Sequence, residues 1–290
     1  MHIFKYFSDK IYDLIASNLF SDYSYAIYSL KKFDNKKPNL KNPKTFNEKL
    51  RWISLNCRNP LYSIYANKLA IKECLKGKIN EQYIPKLLGH WTNAKDINWE
   101  DLPNELVLKT NHACGCNIII RNKAKINREK ISSKLNSNLK INYYKVAREW
   151  VYKDIPRRVL AEELLKDKNE NTPIDYKFFC FNGNPIYIQV DIDRGVNHKR
   201  AFYSLNWDLI PISYLYPKPK NIINKPENLQ EMICLAKKLS EGIPFVRVDL
   251  YALPEVKFGE LTFFPEAAMG QLFPSIWNKK FGDLINLYKY

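Results

Sequence analysis

At 290 residues the chain has room for one large domain or two lobes around a substantial core. Apolar residues make up 46% and aromatics 14%, which excludes a disordered chain, and no apolar run approaches the roughly 20 residues that span a bilayer. The net charge of +16 suits either a solvated basic surface or anionic partners such as nucleotide phosphates, acidic glycans or an inner membrane face. Nucleic acid is not expected, because the basic residues are spread along the chain and form no motif.

In chain order, the first segment sets Ile3, Phe4, Phe7, Ile11, Leu14 and Ile15 on one helical face, suited to the protein's own core, a membrane surface or a partner. Helical texture continues to about residue 85, broken by KKFDNKKPNLKNPK. After the break, Thr45 and Glu48 have capping-box spacing and start a helix carrying Leu50, Trp52, Ile53 and Leu55. PLYSIYANKLAIKECLKG reads as a further helical stretch ending at Gly77. From about residue 84, YIPKLLGHW and ELVLKT read as short buried strands, and NIIIRN as the return of a hairpin over residues 105–122. Residues 128–150 read as helices, and RRVLAEELL as a strand entering the polar loop KDKNENTP. DYKFFCFNGNPIYIQVDID predicts a hairpin turning at Asn182-Gly183, and HKRAFYSLNW extends its sheet. A helix around 226–241, two strands that carry acidic residues and a last helix complete the chain. Strands paired as hairpins, with helices grouped before and between them, predict an α+β fold.

Six cysteines (57, 74, 114, 116, 180, 234) lack zinc spacing. Without a secretory leader they are expected as reduced thiols of a cytoplasmic protein.

Four local patterns bear on chemistry. Asp249 and Glu260 sit inside otherwise apolar strands joined by a short turn, so antiparallel pairing would set them side by side. Two such carboxylates suit Mg²⁺, or each caps a turn or pairs with an arginine such as Arg247. Lys109 ends a buried strand before the small-residue loop HACGCN, where backbone N–H groups can hold phosphates; an ordinary hairpin turn has the same look. In VLAEELL, Glu162 and Glu163 could face an adenine edge or start a helix. In DYKFF, Asp175 and Lys177 share one strand face, as an ion pair or as a ribose- and phosphate-facing pair.

Taken in order, these segments resemble the ATP-grasp superfamily, and within it the TupA-like proteins of surface-polysaccharide gene sets. The resemblance covers roughly residues 38–286 and rests on NPKTFNEKLRW, LVLKTNHACGCNIII, REWVYKDIPRRVLAEELL, DYKFFCFNGNP, RAFYSLNW and the run from FVRVDLY to FPEAAMG. It implies an ATP-grasp fold of two α+β lobes with antiparallel sheets. A helical region (1–85) would precede a small lobe (86–165) with lysine strand, lid and hinge, and a large lobe (166–290) with the metal strands. Lys109 would bind ATP phosphates beneath a lid of residues 112–117, which includes His112 and Gly115. Glu162 would face the adenine amino group beside the backbone of Glu163 and Leu165, and Asp175 and Lys177 would lie near ribose and phosphate. Asp249 and Glu260 would ligate Mg²⁺, with Thr262 as a third oxygen where the superfamily often has asparagine. Arg247 would act with Lys109 on the transferred phosphate. His198 and Arg200 are candidates for the carboxylate substrate, or a solvated charge run.

This chain departs from the family pattern at Ala113, Cys114 and Cys116, where glycine is usual, and at Asn67, where Asp usually precedes Lys68. The implied activity is an ATP-dependent carboxylate–amine ligase in capsule or surface-glycan synthesis, cytoplasmic or peripheral to the inner membrane face. Two other readings stay open: a nucleotide-sugar glycosyltransferase using Asp191-Ile192-Asp193, and a catalytically degenerate ATP binder.

Overall fold

The computed structural model describes residues 18–34, 37–113, 115–193 and 197–289. The amphipathic segment over residues 3–15 and Cys114 lie outside the described residues. Cys57, Cys74, Cys116, Cys180 and Cys234 are free thiols.

Among the described residues four helices precede the first sheet: α1 (Asp22–Asp34), α2 (Phe46–Asn56), α3 (Leu61–Ala66) and α4 (Ala70–Leu75). The capping box that starts α2 forms as its spacing predicts: Thr45 Oγ1 accepts from Glu48 N at 3.3 Å, and Glu48 Oε2 accepts from Thr45 N at 3.0 Å. Asn67 does the same work for α4, its Oδ1 accepting from the backbone of Leu69 and Ala70.

A four-stranded antiparallel sheet follows. Its strands β1 (Leu87–Trp91), β2 (Leu106–Thr110), β3 (Asn117–Ile120) and β4 (Val159–Glu162) take the order β1-β4-β2-β3. Strand alternation decides what β2 offers on each side. Leu106 and Leu108 enter a core with Ile120, Val159, Ala161 and Leu135 of helix α5 (Arg128–Leu139), while Val107 and Lys109 turn to the other face. A short helix α6 (Tyr143–Ala147) leads back toward β4.

The second sheet is also antiparallel. Its strands β5 (Asp175–Phe181), β6 (Asn184–Ile192), β7 (Lys199–Ser204), β8 (Leu209–Ile210), β10 (Phe245–Tyr251) and β11 (Lys257–Thr262) run in the order β11-β10-β5-β6-β7-β8. Between β5 and β6, Asn182 and Gly183 take φ of 49° and 80°, as a two-residue hairpin turn requires. Strands β9 (Ser213–Tyr214) and β12 (Leu272–Phe273) form a separate ribbon. Helices α7 (Leu229–Ser240) and α8 (Ile276–Leu284) complete the fold.

The N-terminal helices share one core with the six-stranded sheet. Phe46 of α2 meets Phe245 of β10 at 4.9 Å and Phe281 of α8 at 5.5 Å between ring centroids. Burying such aromatics contributes on the order of 2–3 kcal/mol each, so α2 is pinned to the sheet that carries the acidic strands.

Candidate active site

In an antiparallel pair, residues directly opposite share a face. Glu260 lies opposite Asp249, Asp249 opposite Lys177, Lys177 opposite Gln189, and Asp191 opposite both Asp175 and Arg200. Five neighbouring strands therefore build one polar stripe across an otherwise apolar sheet. The reverse face of β5 and β10, with Phe178, Cys180, Val246 and Val248, is buried.

At one end of the stripe stand the two carboxylates. Asp249 is gripped by Arg247, whose Nε and Nη2 each donate to it at 2.7 Å, and by Lys177 Nζ at 3.2 Å. Lys177 also holds Asp175 at 2.9 Å. Arg247 Nη2 further donates to Thr262 Oγ1 at 3.1 Å. Glu260 pairs with Lys68 Nζ at 3.2 Å. Burial pushes the Glu260 carboxyl up, but Lys68, Arg247 and Lys177 together hold it down at about 2. Of the outcomes weighed for these residues the arginine pairing is present, and the two carboxylates lie on directly opposite residues of neighbouring strands.

Lys68, noted from the sequence only as the residue that follows Asn67, reaches this cluster. Its backbone N donates to Asn111 O at 3.1 Å and its Nζ to Ala113 O at 2.9 Å, so it joins the loop after β2 to the Glu260 strand. In that loop Gly115 takes φ of +77°, with open space where a Cβ would stand. His112 turns inward, 1% exposed, with Nε2 3.2 Å from Ile141 O; burial lowers its pKa and keeps it neutral.

A second cluster sits at the hinge. Lys109 Nζ lies 2.6 Å from Glu162 Oε2, and Lys72 Nζ 3.2 Å from Oε1. Burial alone would raise the Glu162 carboxyl, but Lys109 and Lys72 reverse the shift and lower it. Lys72 escaped the sequence reading; helical spacing from Lys68 to Lys72 was its only signal. Glu163 ties the hinge to the entry of β1: its N donates to Lys86 O at 3.1 Å and its Oε1 accepts from Lys86 N at 2.8 Å. Leu165 is half-buried beside it.

At the far end of the stripe, Arg200 donates through Nε to Asp191 at 2.6 Å and through Nη1 to Tyr214 O and Glu266. Burial pushes the Asp191 carboxyl up, yet Arg200 brings it down to about 2. His198 stacks on Tyr216 at 3.7 Å, with Nε2 3.2 Å from Asp191. Asp191, the first carboxylate of the glycosyltransferase reading, is therefore occupied by an internal ion pair. The structure brings Lys109 and Glu162 together, and Asp175, Lys177, Arg247, Asp249, Glu260 and Thr262 together. It gathers His198 and Arg200 at Asp191, and keeps His112 inside.

A family model of TupA-like ATP-grasp proteins matches residues 48–286. The chain belongs to the TupA-like ATP-grasp family. Several solved ATP-grasp structures are similar to it at low identity. D-alanine–D-alanine ligase from Bacillus anthracis is 17% identical with a TM-score of 0.44, over 77% of this chain and 66% of that one. The ATP-grasp ligase PsnB with a minimal precursor is 12% identical, with a TM-score of 0.40 over 74% and 57%. The macrocyclase MdnC with precursor peptide MdnA from Microcystis aeruginosa is 12% identical, with a TM-score of 0.37 over 79% and 64%. The matched part takes in under two thirds of each of these chains. No curated protein matches the chain.

For this TupA-like chain, the donor set decides whether a metal fits. Among the described residues no group of three or more His, Cys, Asp or Glu could hold an ion. Two adjacent carboxylates instead suit Mg²⁺, which commonly takes one or two protein carboxylates and completes its shell from phosphate and water. The residues present fit such an ion.

Proposed function

We propose that this protein is an ATP-dependent carboxylate–amine ligase that forms an amide through an acyl phosphate and releases ADP and phosphate. The observation that carries the reading is the register placing Asp249 directly opposite Glu260 and beside Lys177, with Arg247 on the same face. Family membership and the ligase activity named for D-alanine–D-alanine ligase and PsnB support it.

In this reading the adenine lies at the Glu162–Leu165 hinge and the phosphates run beneath the loop after Lys109. Mg²⁺ held by Asp249 and Glu260, with Thr262 beside them, would neutralise charge on the transferring phosphoryl group. A carboxylate oxygen of the first substrate attacks the γ-phosphorus, and the bond to the ADP oxygen breaks. The amine then attacks the carbonyl carbon, the C–N bond forms, and phosphate departs with the electron pair of the C–O bond. Lys109, Lys177 and Arg247 act by positioning and charge, which dominate phosphoryl transfer. Asp175 holds Lys177 toward the ribose and phosphate end, and the Gly115 loop covers the phosphates with His112 packed beneath it. His198 and Arg200 border the substrate end of the stripe.

The substrates proposed are a uronic acid or similar carboxylate and an amine on a surface-glycan precursor, with the +16 charge favouring acidic partners. The place proposed is the cytoplasm or the inner membrane face. No helix among the described residues is long and apolar enough to cross a membrane.

The test is ADP release from Mg²⁺-ATP against pools of uronic acids and amines. ADP that needs both a carboxylate and an amine, and that disappears in Asp249→Asn, is the expected result. ADP formation that requires no carboxylate, or that survives in Asp249→Asn, would overturn the reading.

A further inference from the structure

Glu162 is a buried carboxylate that touches two cations. Lys109 Nζ lies 2.6 Å from its Oε2 and Lys72 Nζ 3.2 Å from its Oε1, so the three groups in contact carry one net positive charge. Glu162 sits on the central strand β4, opposite Leu87 of β1 and Val107 of β2, and its backbone is held from both sides.

The two lysines are not equivalent. Lys72 lies within α4, and its Nζ also donates to Pro85 O at 2.7 Å. Pro85 leads into Lys86, which Glu163 holds through both backbone groups, accepting from its N and donating to its O. The Asn67 cap fixes the start of α4 beneath Lys72. Lys72 is thus clamped between a helix and the hinge. Lys109 stands at the end of β2, where the loop begins, and its side chain is 16% exposed against 8% for Lys72.

Charge counting decides what a triphosphate can do here. A phosphate that takes Lys109 removes that cation from Glu162. With Lys109 as the sole partner, the exchange would leave a buried carboxylate uncompensated, which costs more than the pair contributed. With Lys72 in place it leaves a neutral Lys72–Glu162 pair. Glu162 then has Oε2 released, and Oε1 meets Lys72 in charge contact but receives no hydrogen bond among the described residues. An ionised carboxylate only accepts, so an amino group suits it, whereas a 6-oxo purine presents a lone pair at the same place.

We propose that Lys72 is a positioning residue: it keeps Glu162 paired and in place while the triphosphate takes Lys109, so that phosphate capture uncovers the carboxylate for the 6-amino group of the base. This inference rests on the ligase reading, which puts adenine at this hinge, and adds how the site couples base choice to phosphate binding. The Lys109–Glu162 contact acts as a guard, relieved in full by a ligand that carries both a phosphate chain and an amino-purine.

The experiment is calorimetric titration of the full chain, in Mg²⁺, with ATP, inosine triphosphate or inorganic tripolyphosphate. Inosine triphosphate keeps the phosphates and replaces the 6-amino group by oxygen. The wild-type chain should prefer ATP by roughly tenfold or more, Lys72→Met should cut that preference to about twofold, and Lys72→Arg should regain part of it. Glu162→Gln should bind tripolyphosphate more tightly than the wild type by roughly threefold or more, because Lys109 no longer faces a carboxylate. That second arm reads the exchange even where Lys72→Met does not fold. A Lys72→Met chain that binds ATP more weakly with its preference intact would reduce Lys72 to a structural role and overturn the inference. Equal binding of ATP and inosine triphosphate by the wild type, or tripolyphosphate binding that is unchanged or weaker in Glu162→Gln, would overturn it as well. In each of these cases ATP binding by the wild type leaves the ligase reading standing. A wild-type chain that binds no nucleotide overturns the ligase reading and this inference with it.

Discussion

Lys68, Lys177 and Arg247 set three cationic groups around Asp249 and Glu260, and Lys72 and Lys109 set two on Glu162. Removing one partner of such a buried set costs more than the pair contributes, because a charge is left uncompensated. Glu149 is a buried carboxyl whose desolvation outweighs the opposing charge of Arg51. Its pKa is raised above the usual 4.5 to about 7, with Arg51 and Glu266 the charged groups that act on it. The sign follows from proton counting: the unfolded chain ionises first as pH rises, so stability is full below pH 4.5 and is lost between 4.5 and about 7. Replacing Glu149 by Gln should therefore shift the stability difference in the variant's favour by roughly 3 kcal/mol between pH 4.5 and about 8. Urea unfolding at both ends of that range checks it, and a pH-independent difference would contradict it. Asp249 and Glu260 were legible in the sequence because a carboxylate inside an apolar strand needs an explanation. Lys68 and Lys72 were not. In a lysine-rich helical stretch nothing local separates a lysine that reaches a strand nearly two hundred residues away from one in solvent.

The elements that local chemistry specifies were the legible ones. Asn182-Gly183 fixed the β5–β6 hairpin, and Thr45 with Glu48 fixed the start of α2. Non-local pairing was hidden: β4 inserts between β1 and β2, and the β9–β12 ribbon joins residues that carry no turn signal in common. The left-handed turn at Glu266 was hidden too, because it is imposed by Arg200 and Asn47 and not by glycine. Another constraint sits where α8 crosses the start of α2. A Cβ on Gly282 would come within 2.2 Å of Lys44 O and 2.8 Å of Thr45 C. Gly282→Ala should destabilise the chain by about 1–3 kcal/mol, since backbone cannot give way as a side chain can. Thermal unfolding tests this, and an unchanged or raised Tm would mean that α8 can slide on α2 without loss.

For the whole molecule, two antiparallel sheets each carry one polar edge or stripe. The four-stranded sheet gives Lys109 and Glu162, and the six-stranded sheet gives the carboxylates. The N-terminal helices are packed into this arrangement. Lys68 just before α4 pairs with Glu260 and Lys72 within α4 pairs with Glu162, and α2 shares the core of the larger sheet. The α+β class and the family were readable from strand texture and motif order, whereas the reach of the helices into the site depends on tertiary packing. The most direct measurement is ATP binding by calorimetry, with and without Mg²⁺, for the wild-type chain, Lys109→Ala and Asp249→Asn. ATP should bind, Mg²⁺ should tighten it, Lys109→Ala should weaken it by on the order of tenfold, and Asp249→Asn should abolish the Mg²⁺ effect. No ATP binding, or a Mg²⁺ effect that persists in Asp249→Asn, would contradict the account.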